Sequence, residues 1–447
     1  MDKSTVESAP VERMLSRRDF IRYSTLLAAG TLTGCAVNPV TGKNQLMLMN
    51  VSQEIAVDRK NAPHQLSQDY GPVRDAALVR YVDRTGKAMA GRTHRPEMPY
   101  SFRPVAANYV NAYAFPGGSI AVTRGILLKL ENEAELAALL GHELGHVNAR
   151  HTAEQMSKGM VTQLLVMGAV EAVGAKMPGY RQVAEKLGMM GAGALLASYS
   201  RDNERQADDL GMQYMVKSGY SPEGMVGLME LLKEMSRHRS APTDLLFATH
   251  PMGDERYRTA VQSARTTYGA SRGLPLNRDR YMDSIAGLRA IRGAVERQQQ
   301  GEEAMGKKRY REAEALFRQS LLTVPEDYTG LLLMTKCLMM QDRVGDALKY
   351  AEKARAVNRS EPQAHHLVGM ANLRRKRFER AYEGFSEYER LLPGNPSTTF
   401  FKGYSMEGMG RRQQAAANYS TYLKEVNKGE KAQHAYRRLV QWGYLKR

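Results

Sequence analysis

Ala313, Ala347, Ala381 and Ala415 recur at intervals of 34 residues, and a period of that length dictates the architecture of the region that contains it. A unit of this size is one helix pair, unable to bury its apolar face alone, so successive units must stack and share a continuous core. The neighbours keep the same phase. Tyr310, Phe317 and Pro325 match Phe378, Phe385 and Pro393, each 68 residues later. Gly369 and Gly403 share one slot, and Phe385 and Tyr419 share another. Small residues there let paired helices approach closely, while the aromatic rings fill the space between units. The second unit is degenerate, with Val344 and Ala351 at the aromatic positions. Four helix pairs from Val295 to Val426, sealed by a helix from Glu430 to Trp442, predict a curved solenoid. Its concave surface is a candidate partner or substrate site, and packing against the preceding domain as a scaffold is compatible with that role.

Upstream, His142-Glu143-Leu144-Gly145-His146 sets two imidazoles and a carboxylate at a spacing that suits a catalytic zinc. On a helix of about 3.6 residues per turn, positions four apart lie roughly 40° from each other, so both rings reach one ion from one face. Glu143 sits beside that face. It can take a proton from a water whose pKa zinc lowers to about 7 and pass it to the departing amine. A metallopeptidase is the leading expectation.

A catalytic zinc needs a third protein ligand and one open position. His151 lies about 140° around from His146 and cannot share its face while the helix continues. The longer metzincin pattern also fails, with Ala149 and Thr152 at its glycine and histidine positions. Glu204 and Asp208 stand four apart on a plausible second helix, so one carboxylate can bind metal while the other hydrogen-bonds a ligating histidine from outside. Beside Arg201 and Arg205 the same pair also suits a salt-bridged, solvated face. The upstream histidine motif favours the metal reading.

Ser16-Arg17-Arg18-Asp19-Phe20-Ile21 resembles the twin-arginine export signal, and the apolar stretch from Ile21 to Leu32 is too short for a permanent membrane span. Leu32-Thr33-Gly34-Cys35 resembles a bacterial lipobox, which implies a lipidated Cys35. Aspartate after such a cysteine tends to retain lipoproteins in the inner membrane. Ala36 stands there instead, so a lipid anchor on the periplasmic side of the outer membrane is expected. Cys337 is the only other cysteine. It lies in an apolar run and suits a small buried hydrophobe rather than chemistry. The net charge of +17 is scattered along helical segments without a nucleic-acid-binding signature, so no nucleic-acid partner is expected.

From Cys35 to about Arg258 the chain resembles the HtpX/BepA-like peptidases of the gluzincin class. Asn38-Pro39-Val40-Thr41-Gly42-Lys43, the segment Asn111 to Gly118, the segment Gly141 to His151, the Glu204 to Asp208 pair, and Thr249-His250-Pro251 with Arg256 beyond it follow in family order. The resemblance implies a mainly α protein. A zincin-type α+β peptidase domain with a small antiparallel sheet (35–290) follows the signal peptide (1–34) and precedes an α-solenoid of tetratricopeptide repeats (291–447).

It also implies one zinc held by His142, His146 and Glu204, with Glu143 as base and Asp208 orienting a ligand. An edge strand near Asn111, Ala112, Tyr113 and Ala114 would pair with substrate backbone. His250 either stabilises the oxyanion, or occupies the open zinc position and holds the enzyme idle, or is a capping or core histidine before proline. The Met-, Gly- and Ala-rich stretches Met160 to Gly174 and Leu187 to Ala197 suit core helices, with a lid or bilayer contact as the other reading. The expected function is zinc-dependent endopeptidase cleavage of misfolded or misassembled envelope proteins, with outer-membrane assembly components as partners of the repeats. The alternative is a chaperone or assembly adaptor acting mainly through the repeat domain.

Overall fold

A computed structural model of the protein describes residues 35–160, 199–237 and 241–446. The expected export leader lies outside them, as do the Met-, Gly- and Ala-rich stretches beyond Met160. Among the described residues no helix is long and apolar enough to cross a membrane.

Strands β1 (Cys35–Val37) and β2 (Asn44–Leu46) form an antiparallel pair. Helix α1 (Val51–Gln68) starts at a capping box made by Asn50 and Gln53, and Asp75 caps α2 (Ala76–Ala90). Both side chains satisfy first-turn N–H groups that have no partner within the helix. Strands β3 (Ser101–Val105), β4 (Ala112–Ala114) and β5 (Ser119–Thr123) build the main sheet. The antiparallel pairing of β4 with β5 sets Ala112 opposite Val122 and Ala114 opposite Ile120. Gly118 supplies the left-handed residue of the intervening turn at φ 103°. The sheet is nevertheless mixed, because β3 lies parallel to β5 with Ser101 opposite Ser119. β5 is therefore central, and β3 and β4 are the two edges. An edge is also where the sheet tolerates Pro104.

Helix α3 (Arg124–Leu127) leads into α4 (Glu133–Asn148), which is capped by Asn132 and buried along its whole length. Helices α5 (Arg201–Lys217) and α6 (Glu223–Arg237) pack on it, α7 (Ala241–Thr249) and α8 (Asp254–Arg265) pack on α6, and α9 (Arg278–Ser284) and α10 (Ala286–Ala290) follow. The close approach of α4 and α5 is dictated by small residues spaced one turn apart on both helices. A Cβ on Gly141 would lie 2.8 Å from the Gly211 oxygen, and one on Gly145 would lie 2.9 Å from the Ala207 oxygen. A glycine inside a helix costs about 1 kcal/mol relative to alanine, and here it lets the two backbones meet.

Four helix pairs follow: α11 (Arg292–Gly306) with α12 (Tyr310–Thr323), α13 (Tyr328–Met340) with α14 (Val344–Val357), α15 (Pro362–Arg374) with α16 (Phe378–Leu391), and α17 (Pro396–Gly408) with α18 (Arg412–Glu425). Helix α19 (Glu430–Gln441) packs on the last pair. In the first, third and fourth pairs an aromatic ring lies directly on a glycine: Phe317 on Gly301, Phe385 on Gly369 and Tyr419 on Gly403. The degenerate second pair has Thr335 and Ala351 in these two places, both fully buried. The larger residue has changed sides, so the shared volume is still filled.

The array also shares a core with the preceding elements. Leu66, Tyr70, Val105 and Ala121 belong to the same buried cluster as Leu331 and Leu332 of α13. Arg124 pairs with Asp327 at 2.8 Å, with side chains only 4% and 11% exposed. At the same interface Ser67 Oγ donates to Glu361 Oε1 at 2.5 Å.

Burial pushes the Glu361 carboxyl up from 4.5 to about 7. Between those values the folded chain holds a proton there that the unfolded chain has released. The contribution of Glu361 is therefore complete below about pH 4.5 and declines as pH rises towards 7. Glu361→Gln is expected to flatten this dependence, measured as a smaller fall in Tm between about pH 5 and about pH 8 than in the unaltered chain.

Candidate active site

Helix α4 carries His142, Glu143 and His146, and α5 carries Glu204 and Asp208. The glycine contacts between these helices bring Glu204 to the two histidines. Its carboxylate oxygens lie 3.4 Å from His146 Nε2 and 3.7 Å from His142 Nε2. The two Nε2 atoms are 3.0 Å apart. His250, just after α7, completes the group: one ligand atom from each of His142, His146, Glu204 and His250 lies within 4.8 Å of the others. All four residues are buried.

Groups outside this cluster fix the rings. Asp208 Oδ1 lies 2.9 Å from His142 Nδ1, so the ring can donate there and present Nε2 as a lone pair. His146 Nδ1 lies 2.9 Å from His151 Nδ1, and His151 Nε2 is 2.9 Å from Gln206 Oε1. This chain of contacts orients His146 in the same sense. His151 reaches that position because α4 ends at Asn148 and Arg150 adopts φ 61°, which breaks the helical phase that would have turned it about 140° away from His146. Tyr199 stacks on His146 with ring centroids 3.8 Å apart. Arg256 donates through Nε and Nη2 to Asp208, both at 2.7 Å, and its Nη1 lies 2.6 Å from Glu204 Oε2.

The electrostatics agree with metal ligation. Burial drives His146 well below the usual imidazole range, which leaves it neutral. Burial opposes ionisation of Glu204, yet His250, His146 and Arg256 bring it well below the usual carboxylate range. For Asp208 burial is likewise outweighed, by Arg256 and His142. Burial pushes the Glu143 carboxyl up, against the pull of His250 and His142. Its Oε2 is buried without a hydrogen-bond partner, while Oε1 lies 3.8 Å from His250 Nε2. Two imidazoles and a carboxylate converging on one point are a donor set suited to a divalent transition metal.

The other residues singled out in the sequence lie elsewhere. β4 is an edge strand that packs against α4, with Asn111 immediately before it. Tyr113 in its centre donates a hydrogen bond to Asp69. Cys35 begins β1. Of the outer partners, Gln206 and Tyr199 carried no signal of their own in the sequence and His151 was weighed there only as a ligand, whereas Arg256 stood beside the Thr249-His250-Pro251 motif.

The Peptidase family M48 profile matches residues 76–264, and a tetratricopeptide-repeat profile matches residues 304–371. The chain carries an M48 peptidase domain followed by tetratricopeptide repeats. The M48 match contains every residue of the converging group. Among curated relatives, the beta-barrel assembly-enhancing protease of Yersinia pestis is 28% identical over 246 residues, covering 53% of this chain and 49% of that protein. The protein of the same name in Escherichia coli (strain K12) is 27% identical over 197 residues, covering 43% and 40%. Metalloprotease YcaL of the same strain is 33% identical over 159 residues, covering 35% and 59%. The chain thus spans about half the length of these relatives.

Proposed function

We propose that the chain is a zinc-dependent endopeptidase of the periplasm that cleaves misfolded or misassembled envelope proteins in the course of outer-membrane protein assembly. The observation that carries this reading is the convergence of His142, His146 and Glu204 beside the buried Glu143 inside an M48 domain. The relatives named beta-barrel assembly-enhancing protease support the link to outer-membrane assembly. An acyl anchor on Cys35 is the proposed attachment to the outer membrane, and the repeats are the proposed contact with assembly components.

When bound by His142, His146 and Glu204, zinc supplies Lewis acidity towards a water and a peptide carbonyl. Glu143 takes the proton of the attacking water and returns it to the leaving amine. Asp208 and His151 hold the two imidazoles in place, and Arg256 holds Asp208 and Glu204. The edge of β4 offers backbone groups to an extended substrate, an arrangement that gives affinity with little side-chain selectivity. That suits unfolded segments of many sequences.

His250 is assigned to the open position of the site, where it keeps the resting enzyme idle. Cleavage of casein by the full-length chain tests both parts of this reading. A chelator is expected to abolish cleavage and His250→Ala to raise it several-fold. Lower cleavage by His250→Ala would instead make His250 a stabiliser of the oxyanion, a role worth about a hundredfold or more. Cleavage that survives the chelator would overturn the metallopeptidase reading.

A further inference from the structure

The turns inside the helix pairs form a row along one edge of the array. Lys308, Asp342, Lys376 and Gly410, each 34 residues after the last, are the left-handed residues of the four turns. Successive turns touch one another. Arg374 Nη1 donates to the Met339 oxygen at 2.7 Å, and a Cβ on Gly408 would lie 2.4 Å from the Phe378 ring. Helix α19 stacks on α18 in the place of a fifth first helix, so its C-terminal end continues the same edge.

The charge along this edge is unevenly compensated. In the first two turns Lys307 pairs with Glu303, Arg309 with Glu312, and Arg343 with Glu314 and Asp346. The third and fourth turns carry exposed Arg375, Lys376, Arg377, Arg411 and Arg412, and none of these forms an ion pair among the described residues. The one carboxylate that Arg374 reaches among the described residues is Asp342, at 3.9 Å. Glu379 is the nearest carboxylate in sequence, and it is equally exposed. At the end of the edge, Tyr444 and Leu445 stand 51% and 40% exposed.

We propose that this edge docks on an anionic phospholipid surface. Long cations in a row on projecting turns meet phosphates without needing a fixed partner geometry, and their attractions to such a surface add. Tyrosine and leucine beside them suit the boundary between headgroups and acyl chains. Phe378, the aromatic residue of these turns, packs against Gly408 and is not free for base stacking, so the row does not suit a single-stranded nucleic acid.

The test uses the full-length chain carrying Cys35→Ser, so that no acyl group contributes, with vesicles of phosphatidylethanolamine containing one quarter phosphatidylglycerol. Co-sedimentation is expected to be salt-sensitive and to disappear with phosphatidylcholine alone. The triple variant Arg375→Glu, Lys376→Glu, Arg377→Glu is expected to bind at least about tenfold more weakly, with an unchanged Tm. Reversing three exposed cations on and just after α2, Arg80→Glu, Lys87→Glu and Arg92→Glu, is expected to leave most of the binding intact. Equal binding by the two triple variants overturns the proposal, as does equal binding to neutral vesicles. Retention on polyglutamate by a chain that ignores the anionic vesicles also overturns it, by assigning the edge to an acidic polypeptide.

Discussion

Glu143→Gln is expected to reduce casein cleavage by about a thousandfold while leaving the bound metal in place. A positioned general base contributes about a hundred- to ten-thousandfold, so this loss corresponds to about 4 kcal/mol of the barrier. The substitution isolates the proton transfer because Glu143 stands outside the group of converging ligand atoms. Glutamine fills the same volume, and Glu143 Oε2 has no hydrogen-bond partner to lose. The folded chain should therefore keep its metal and its Tm. Activity within about tenfold of the unaltered chain would remove Glu143 from the role of base.

The largest effect on stability is expected from Glu54→Ala, far from the reacting groups in sequence. Glu54 is fully buried and accepts from Arg95 Nη2 at 2.6 Å and from Arg150 Nε at 2.7 Å. The same two arginines hold backbone: Arg95 Nη1 donates to the Val147 oxygen at 2.9 Å, and Arg150 Nη2 to the Met49 oxygen at 2.7 Å. The carboxylate thus clamps the end of α4 one turn beyond His146. Removing it strands two guanidinium charges in the interior, at a cost of about 3–5 kcal/mol. For a domain of this size that is a fall in Tm of roughly ten degrees. Activity should fall with it, because the break after Asn148 that places His151 loses its support. A Tm within about two degrees of the unaltered chain would show that the arginines find other partners.

The repeat array was legible because its information is local and periodic: each 34-residue unit restates the same small and large positions. The sequence already marked the second unit as degenerate. The exchange of volume between Thr335 and Ala351 becomes visible only when the helices are packed. The histidine motif and the Glu204 to Asp208 pair were legible for a similar reason, since helical spacing alone puts each pair on one face. What joins the two helices was written in Gly141, Gly145, Ala207 and Gly211, and a search for matched small residues four apart would have found it.

Other features depend on contacts that no local pattern encodes. His151 orients His146 only because the helix breaks between them. Glu54 meets Arg95 and Arg150 across 41 and 96 residues of sequence. The parallel partnership of β3 with β5 likewise follows from packing rather than from the alternation of either strand.

Metal analysis of the purified full-length chain and its variants reads out whether His142, His146 and Glu204 together hold one metal ion. About one zinc per chain is expected in the unaltered protein and in Glu143→Gln, with zinc lost from His146→Ala and from Glu204→Ala. Full zinc content in Glu204→Ala, or a folded and active chain without metal, would remove these three residues from the role of metal ligands.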